Sequence, residues 1–373
     1  MRICVLIDVW EPIWGGGPQH VWKMSQILAT KYKCEIDVYT RSLGQGYQFS
    51  SNQSFLKNKL KIIRIGPLTS FSNFYGRILW LITVSLFIYK AHKKNPYTLI
   101  HAHAYASAIP AKILSVYLKI PVIFTVHGCN NLDLYPKSLI GRLENYLLTR
   151  IHFDKEISVS YHFLIYPNVN SVTVIPNGVD LNDFKKPIQK GKRNTQFTFL
   201  FVGRFEKVKA VDQLIKAFSL VHKQEFKTHL NLVGYGSEET VLRQLTRKLN
   251  LEKNISFLGK KTKSELAQEY NAANLYVSSS RSEGQPITLF EAWAAKLPVL
   301  ATKVGDNAKY VKRGINGYLI APDNFNQLAK GMAHAMYNNK LKNLGLNGYK
   351  YVKKYCAWDQ AAARVYEIYK NYG

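Results

Sequence analysis

Two carboxylates, Glu283 and Glu291, stand eight positions apart in the stretch Glu283-Gly-Gln-Pro-Ile-Thr-Leu-Phe-Glu-Ala-Trp293. Gly284 and Pro286 cannot both sit inside a regular helix, so Glu283 belongs to a loop, and the residues from Ile287 onward read as a helix. One acid then lies in the loop and the other about one turn into the helix. Between them, the backbone amides around Pro286, Ile287, Thr288 and Leu289, with the positive end of the helix dipole, can hold a diphosphate. Glu291 is placed to accept hydrogen bonds from ribose hydroxyls, and Glu283 from sugar hydroxyls. Glu pairs at this spacing also arise by accident, as a solvated loop acid and a helix-surface acid, so context has to decide. Asn274 to Ser280 reads as a strand before the pair and Leu297 to Thr302 as one after it, which makes a parallel crossover unit.

A second constellation supplies cations. Phe197 to Val202 is the apolar, aromatic run of a buried parallel strand, Gly203 ends it, and Arg204 and Lys209 follow before a helix over Val211 to Val221. Cations at the carboxyl end of a strand are positioned to neutralise a leaving phosphate, and Arg adds a planar, bidentate grip. Taken alone, an exposed basic loop would explain both residues equally well.

Strand-like runs alternate with helical patterns through both halves of the chain, which predicts doubly wound α/β architecture. A length of 373 residues fits two domains better than one core. Lys185 to Thr195 lacks periodicity and carries charge, Pro and Gly, so it reads as the linker between domains over 1–184 and 196–355, with a final helix in 356–373. In the first half, Gly15-Gly16-Gly17-Pro18 joins the first strand to a helix, either as a tight turn needing no ligand or as a place where backbone approaches a phosphate or sugar. His127 follows a strand at Val122 to Thr125, where a lone histidine is more often structural than catalytic. His101 and His103, two apart, share one strand face at a spacing that sometimes binds metal, but no third ligand is evident from sequence. The expectation is therefore no metal. Cys4, Cys34, Cys129 and Cys356 show no paired spacing, so neither disulfides nor zinc are expected and a reducing cytoplasm is the natural compartment. The opening residues read directly as a strand, with no secretory leader.

These stretches, in order, resemble the glycogen-synthase-like retaining glycosyltransferases of family 4, which have the two-domain GT-B fold. The resemblance is carried nearly end to end by Gly15-Gly16 with His20-Val21, Thr125-Val-His-Gly128, Val174 to Asp180, Val202-Gly-Arg204 with Lys209, Leu232-Val-Gly-Tyr-Gly236, Glu283 to Glu291, Pro298-Val-Leu300 and Gly314 to Ile320. It implies two Rossmann-like domains facing each other across a cleft, an N-terminal half for the acceptor and a C-terminal half for the nucleotide sugar, and a last helix that crosses back onto the N-terminal half. It also implies donor contacts at Gly15, Gly16, Gly203 and Gly234, catalytic roles for Arg204, Lys209 and Glu283, and a place for His127 near the transferred sugar. The donor would be a UDP- or GDP-linked sugar, with no further cofactor. This chain departs from the family pattern at Ala210, Gln285, Pro286, Asp306 and Lys309.

The net charge is +27. It divides into +11 for residues 1–186 (21 basic, 10 acidic) and +16 for residues 187–373 (30 basic, 14 acidic). Between Asp37 and Asp133 there is no acidic residue, while eleven Lys and Arg fall among aromatic side chains. Ile78 to Tyr89 is an uncharged run too short to span a bilayer, for which about 20 residues are needed. It reads either as a buried helix or as one that touches an anionic membrane surface through Arg77, Trp80, Lys90, Lys93 and Lys94. Nucleic acid is the rival partner for so basic a chain, but no recognition helix, RNA-binding sheet signature or basic tail is present. The expected activity is glycosyl transfer with retention, onto a lipid-linked or growing cell-surface saccharide, by a peripheral protein of the inner membrane face. A soluble transferase with a small acceptor shares every donor motif. A silent sugar-nucleotide sensor would bind donor without turnover, and the intact Arg204, Lys209, Glu283 and Glu291 argue against it.

Overall fold

The structure is a computed structural model, and it describes all residues except 11–15, 44–51, 71–73, 128–149, 163–170 and 185–195. The expected linker and Gly15 therefore lie outside the described residues. The chain divides into two compact units, one of Met1–Asn177 with Trp358–Gly373 and the other of Gly178–Ala357. The division falls ahead of the expected linker because the Val179 amide already donates to the Cys356 carbonyl, at 2.8 Å, within the second unit.

In the first unit, strands β1 (Arg2–Ile7), β2 (Glu35–Leu43), β3 (Gln53–Phe55), β4 (Leu60–Thr69), β5 (Leu99–His103), β6 (Val122–Val126), β7 (Lys155–Ser158) and β8 (Val172–Val174) form one sheet in the order β3-β4-β2-β1-β5-β6-β7-β8. Only β3 pairs antiparallel; the other pairs are parallel. Its central strands β5 and β6 are buried at every position, the pattern of a parallel sheet covered on both faces. One face is covered by α1 (Gly16–Lys31) together with the helix Trp358–Tyr372, which buries Ala361, Ala362, Val365 and Tyr369 in the same core as Val21, Met24 and Leu28. The other face is covered by α2 (Phe74–Lys94) and α3 (Tyr105–Leu118). Trp80, Val84 and Ile88 recur every fourth residue and point α2 into the core.

The second unit is a wholly parallel sheet of β9 (Phe197–Val202), β10 (Thr228–Val233), β11 (Ile255–Gly259), β12 (Leu275–Ser278), β13 (Val299–Thr302) and β14 (Tyr318–Ile320), in the order β11-β10-β9-β12-β13-β14. Helices that build its site are α4 (Val211–Gln224), α5 (Glu239–Lys248), α6 (Lys263–Ala272) and α7 (Ile287–Ala294). Because the chain runs outward from β9 to β11 and resumes on the other side of β9 at β12, the loops that leave β9 and β12 diverge. Such a switch point, outside the carboxyl ends of the strands, is where open α/β sheets hold ligands. In the first unit the equivalent switch lies between β1 and β5.

Candidate functional site

Both expected constellations of the second unit sit at its switch point. Lys209 follows β9 and Glu283 follows β12, and the Lys209 ammonium donates to Glu283 Oε1 at 2.6 Å. The Ser280 hydroxyl donates to the same oxygen, also at 2.6 Å. The two loops are stitched together through main-chain atoms: Ser279 Oγ donates to the Lys209 carbonyl at 2.9 Å, and the Arg281 amide donates to the Val208 carbonyl at 2.8 Å. The Arg281 side chain extends the seam, reaching the Lys207 carbonyl, Asp323 at 2.7 Å and Asp212 at 3.7 Å. Ala210, where the family pattern has glycine, holds a left-handed φ of +49° and is buried.

Arg204 is exposed and lines a pocket of about 220 Å³ with Val202, Gly203, Val233, Gly234, Tyr235, Lys260, Lys261 and Leu266. Among the described residues Arg204 makes no ion pair, so its guanidinium is available to an anion. Gly234 is dictated by sterics: its φ is +139°, and a Cβ there would lie 1.9 Å from the Gly203 carbonyl oxygen. Gly305 is equally constrained, since a Cβ would stand 1.5 Å from the Glu283 carbonyl oxygen at a φ of +45°. The chain leaving β13 thus props the loop that carries Glu283.

Helix α7 starts at Ile287 as expected, behind Pro286 as its cap residue. Its first-turn amides need a correction, because they are not all free. Ile287 donates to the Gln285 carbonyl at 3.0 Å and Leu289 to the Pro286 carbonyl at 3.1 Å, and the Leu289 side chain is in the core. Among the described residues the amides of Gly284 and Thr288 make no backbone hydrogen bond, which leaves those two for an anion. Glu291 lies one turn further on and accepts from the Tyr270 hydroxyl at 2.9 Å. Burial pushes its carboxyl up to about 7, with the Tyr270 hydrogen bond and Lys263 pulling the other way. Tyr276 completes the network through Thr288 Oγ1 at 2.7 Å.

In the first unit, Gly16 is the exposed first residue of α1. His127 lies just past β6, and its Nε2 is 2.9 Å from His103 Nδ1. His20, in α1, packs against His127 with ring centroids 4.8 Å apart, and its Nδ1 meets Asn177 Oδ1 at 2.5 Å. His101 does share a strand face with His103, but both its nitrogens are engaged, Nδ1 with the Tyr369 hydroxyl at 2.6 Å and Nε2 with Thr125 Oγ1 at 2.7 Å. Burial holds His20 down at about 4, His101 at about 3, and both His103 and His127 well below the usual imidazole range. All four rings are therefore neutral at pH 7. The view that His103 has no further ligating neighbours needs correcting, because α1 and the turn after β6 bring two histidines that lie far from it in sequence.

The membrane-facing set also changes. Trp80 is fully buried beneath α2, and Arg77 turns to Asp8, with a closest approach of 3.6 Å. Lys90, Lys93 and Lys94 remain exposed. No described helix is long and apolar enough to cross a membrane. Several site residues carried no sequence signal of their own. Tyr270 and Arg281 act through neighbours distant in the chain, and Lys260-Lys261 after β11 offered only its position at a strand end.

The profile of the glycosyl transferases group 1 matches residues 182–351, and that of Glycosyltransferase Family 4 matches residues 14–183. An uncharacterized glycosyltransferase of Methanocaldococcus jannaschii is 31% identical over 85% of this chain and 88% of its own length. The UDP-Gal:alpha-D-GlcNAc-diphosphoundecaprenol alpha-1,3-galactosyltransferase of Escherichia coli is 25% identical over 72% of this chain and 75% of its own. In fold, the chain matches the Anabaena HepE structure in complex with UDP-glucose at a TM-score of 0.77, with 20% identity and 100% of both chains covered. Since both profiles and a relative of this similarity agree with the two parallel-sheet units, the chain belongs to the group 1, family 4 glycosyltransferases and has their GT-B fold.

Proposed function

We propose that the chain transfers a sugar from a nucleotide diphosphate donor to a hydroxyl, with retention at the anomeric carbon. The observation that carries the reading is the Lys209–Glu283 pair, at 2.6 Å, held at the switch point of the second sheet beside the exposed Arg204. An ammonium has three donors and Glu283 takes one, so Lys209 can hold the carboxylate and the departing diphosphate together. Arg204 adds charge, the Gly284 and Thr288 amides add donors, and Glu283 orients the sugar. The pocket along β9, β10 and β11 suits the nucleoside, and Glu291, fixed by Tyr270, suits its ribose. The leaving phosphate takes the acceptor's proton on the same face of the sugar, so no protein nucleophile is required. His127 supplies a neutral imidazole on the acceptor half.

The acceptor we favour is a lipid-linked saccharide, reached from a membrane surface. The outward face of α2 exposes Ile78, Leu79, Ile82, Leu86 and Phe87, and its last turns expose Lys90, Lys93 and Lys94. Apolar side chains rimmed by lysines fit an anionic leaflet better than bulk water. The Escherichia coli relative is named for a diphosphoundecaprenol-linked acceptor, which supports the same class here. Calorimetric titration with uridine and guanosine diphosphate sugars, followed by NMR of the anomeric proton in the product, tests the proposal. Binding of one donor class and a product with the donor's anomeric configuration is expected. An inverted product would overturn retention, and failure of both donor classes to bind would overturn the assignment.

A further inference from the structure

In the second unit the helix Leu341–Tyr355 packs one side on α7, where Gly345 and Gly348 let it close on the Lys296 carbonyl and the Trp293 ring. Its other side is exposed and carries Lys342, Leu346, Lys350, Lys353 and Lys354. At 3.6 residues per turn these five fall within an arc of about 120°, so the lysines share one face. The Asn347 side chain donates to the Ile315 carbonyl at 2.9 Å, which seats a neighbouring turn beside that face and adds the exposed Lys312, Arg313 and Ile315. Among the described residues none of these six cations makes an ion pair. Asp323, the one acid between Asp306 and Asp359, is engaged with Arg281 at 2.7 Å. We propose that this face is a docking surface for the anionic headgroups of a lipid leaflet, one that the second unit carries by itself.

The lysine richness of the chain does not account for the face. Elsewhere in the same unit exposed helices mix their charges: Lys216 pairs with Asp212 in α4, and Arg243 with Glu239 in α5. Here Lys350 stands three and four residues before Lys353 and Lys354, spacings at which like charges repel along a helix. The helix dipole favours Lys353 and Lys354 in the last turn, but it disfavours Lys342, which lies in a first turn that has no acid. Coverage by an anionic surface offsets both repulsions. Leu346 and Ile315, with the lysine stems, place apolar surface level with the ammonium groups, as the headgroup layer of a membrane demands. Nucleic acid is served better by arginine forks and stacking rings, whereas this face has a single arginine and no exposed aromatic ring within the arc. The inference does not depend on which acceptor the enzyme uses.

The test is cosedimentation of the full chain with vesicles of phosphatidylglycerol and phosphatidylcholine in equal parts, and of phosphatidylcholine alone. Lys342→Gln, Lys350→Gln, Lys353→Gln and Lys354→Gln together should weaken anionic binding at low salt by at least roughly a hundredfold, at about fivefold for each lysine near the leaflet. The difference should shrink as salt is added and be absent on phosphatidylcholine. Arg at the same four positions should restore binding, and turnover on a water-soluble acceptor should be unchanged. The same four Gln changes are also made in a chain that already carries Lys90→Gln, Lys93→Gln, Lys94→Gln, Ile82→Glu and Phe87→Glu. That chain should keep a salt-sensitive affinity for anionic vesicles and lose it with the four lysines, which separates this surface from α2. Unchanged cosedimentation of the quadruple variant at low salt overturns the proposal. So does loss of all vesicle binding from the α2 changes alone, an outcome that leaves the α2 reading intact. A loss confined to binding of duplex DNA would assign the face to nucleic acid and overturn the proposal as well.

Discussion

Lys209 and Glu283 pair at 2.6 Å, so substitution at either position exposes the other. Lys209→Ala removes the ammonium proposed to meet the leaving phosphate and should cost about 3 kcal/mol of transition-state stabilisation, roughly a hundredfold in turnover. Circular dichroism should show an intact fold, and a turnover number near that of the parent would defeat the assignment. Glu291 makes a different prediction because its carboxyl is pushed up to about 7. Its folded-state value is raised, so its contribution to stability is complete below the unfolded value of about 4.3 and is lost as pH rises through about 7. Relative to Glu291→Gln, which stays neutral, the parent should lose thermal stability between about pH 5 and about pH 8. Donor affinity runs the opposite way, because a carboxylate accepts ribose hydroxyls better than a neutral acid. The donor dissociation constant of the parent should fall severalfold across the same range, in keeping with the about 1 kcal/mol advantage of a charged acceptor, while Glu291→Gln stays flat.

At the scale of elements, the site depends on three strand-end loops held in register. Gly305→Ala would drive a methyl into the Glu283 carbonyl and add backbone strain. We expect it to lower turnover by more than about a hundredfold, since small displacements of positioned groups cost that much, and to lower the unfolding temperature as well. Full activity with unchanged stability would show that the loop moves aside freely. Elements were largely legible from the amino-acid pattern. The expected strand at Phe197 to Val202 is β9, the helix start at Ile287 is α7, and the uncharged run from Ile78 lies within α2. The orientation of α2 was not legible, because a helix apolar all round has no polar face to announce which side is buried, and the burial of Trp80 removes it from the membrane-contact set. Partnerships such as Tyr270 with Glu291 or His20 with His127 were invisible for another reason: only the packing of helices on the folded sheet brings those residues together. The candidate donor residues were legible as motifs, and the contacts that hold them were not.

For the molecule as a whole, the proposed membrane docking would draw on both the charge of +27 and the exposed apolar face of α2. Replacing Lys90, Lys93 and Lys94 with Gln should weaken binding to anionic vesicles by about 1 kcal/mol per residue at low salt, and less as the Debye length shortens. Ile82→Glu with Phe87→Glu should remove the salt-resistant remainder, while turnover on a water-soluble acceptor persists in both variants. Cosedimentation as strong as the parent's in all variants would return α2 to a purely structural role.

The helix Trp358–Tyr372 belongs to the first unit, although the whole of the second unit lies between it and the rest of that unit in the chain. A ribosome therefore releases everything the second unit needs before it releases the residues that close the first. During synthesis the N-terminal sheet waits with Val21, Met24 and Leu28 uncovered and with His101 lacking the Tyr369 hydroxyl. The usual order, in which the N-terminal domain folds first, is reversed here. A chain ending at Ala357 should keep a protease-resistant second unit and present a first unit that is cut readily and captured by chaperones. Equal protection of both units would show that the first sheet closes without its last helix. The same dependence would make synthesis self-proofing: a message or chain broken anywhere before Trp358 would yield no finished first unit.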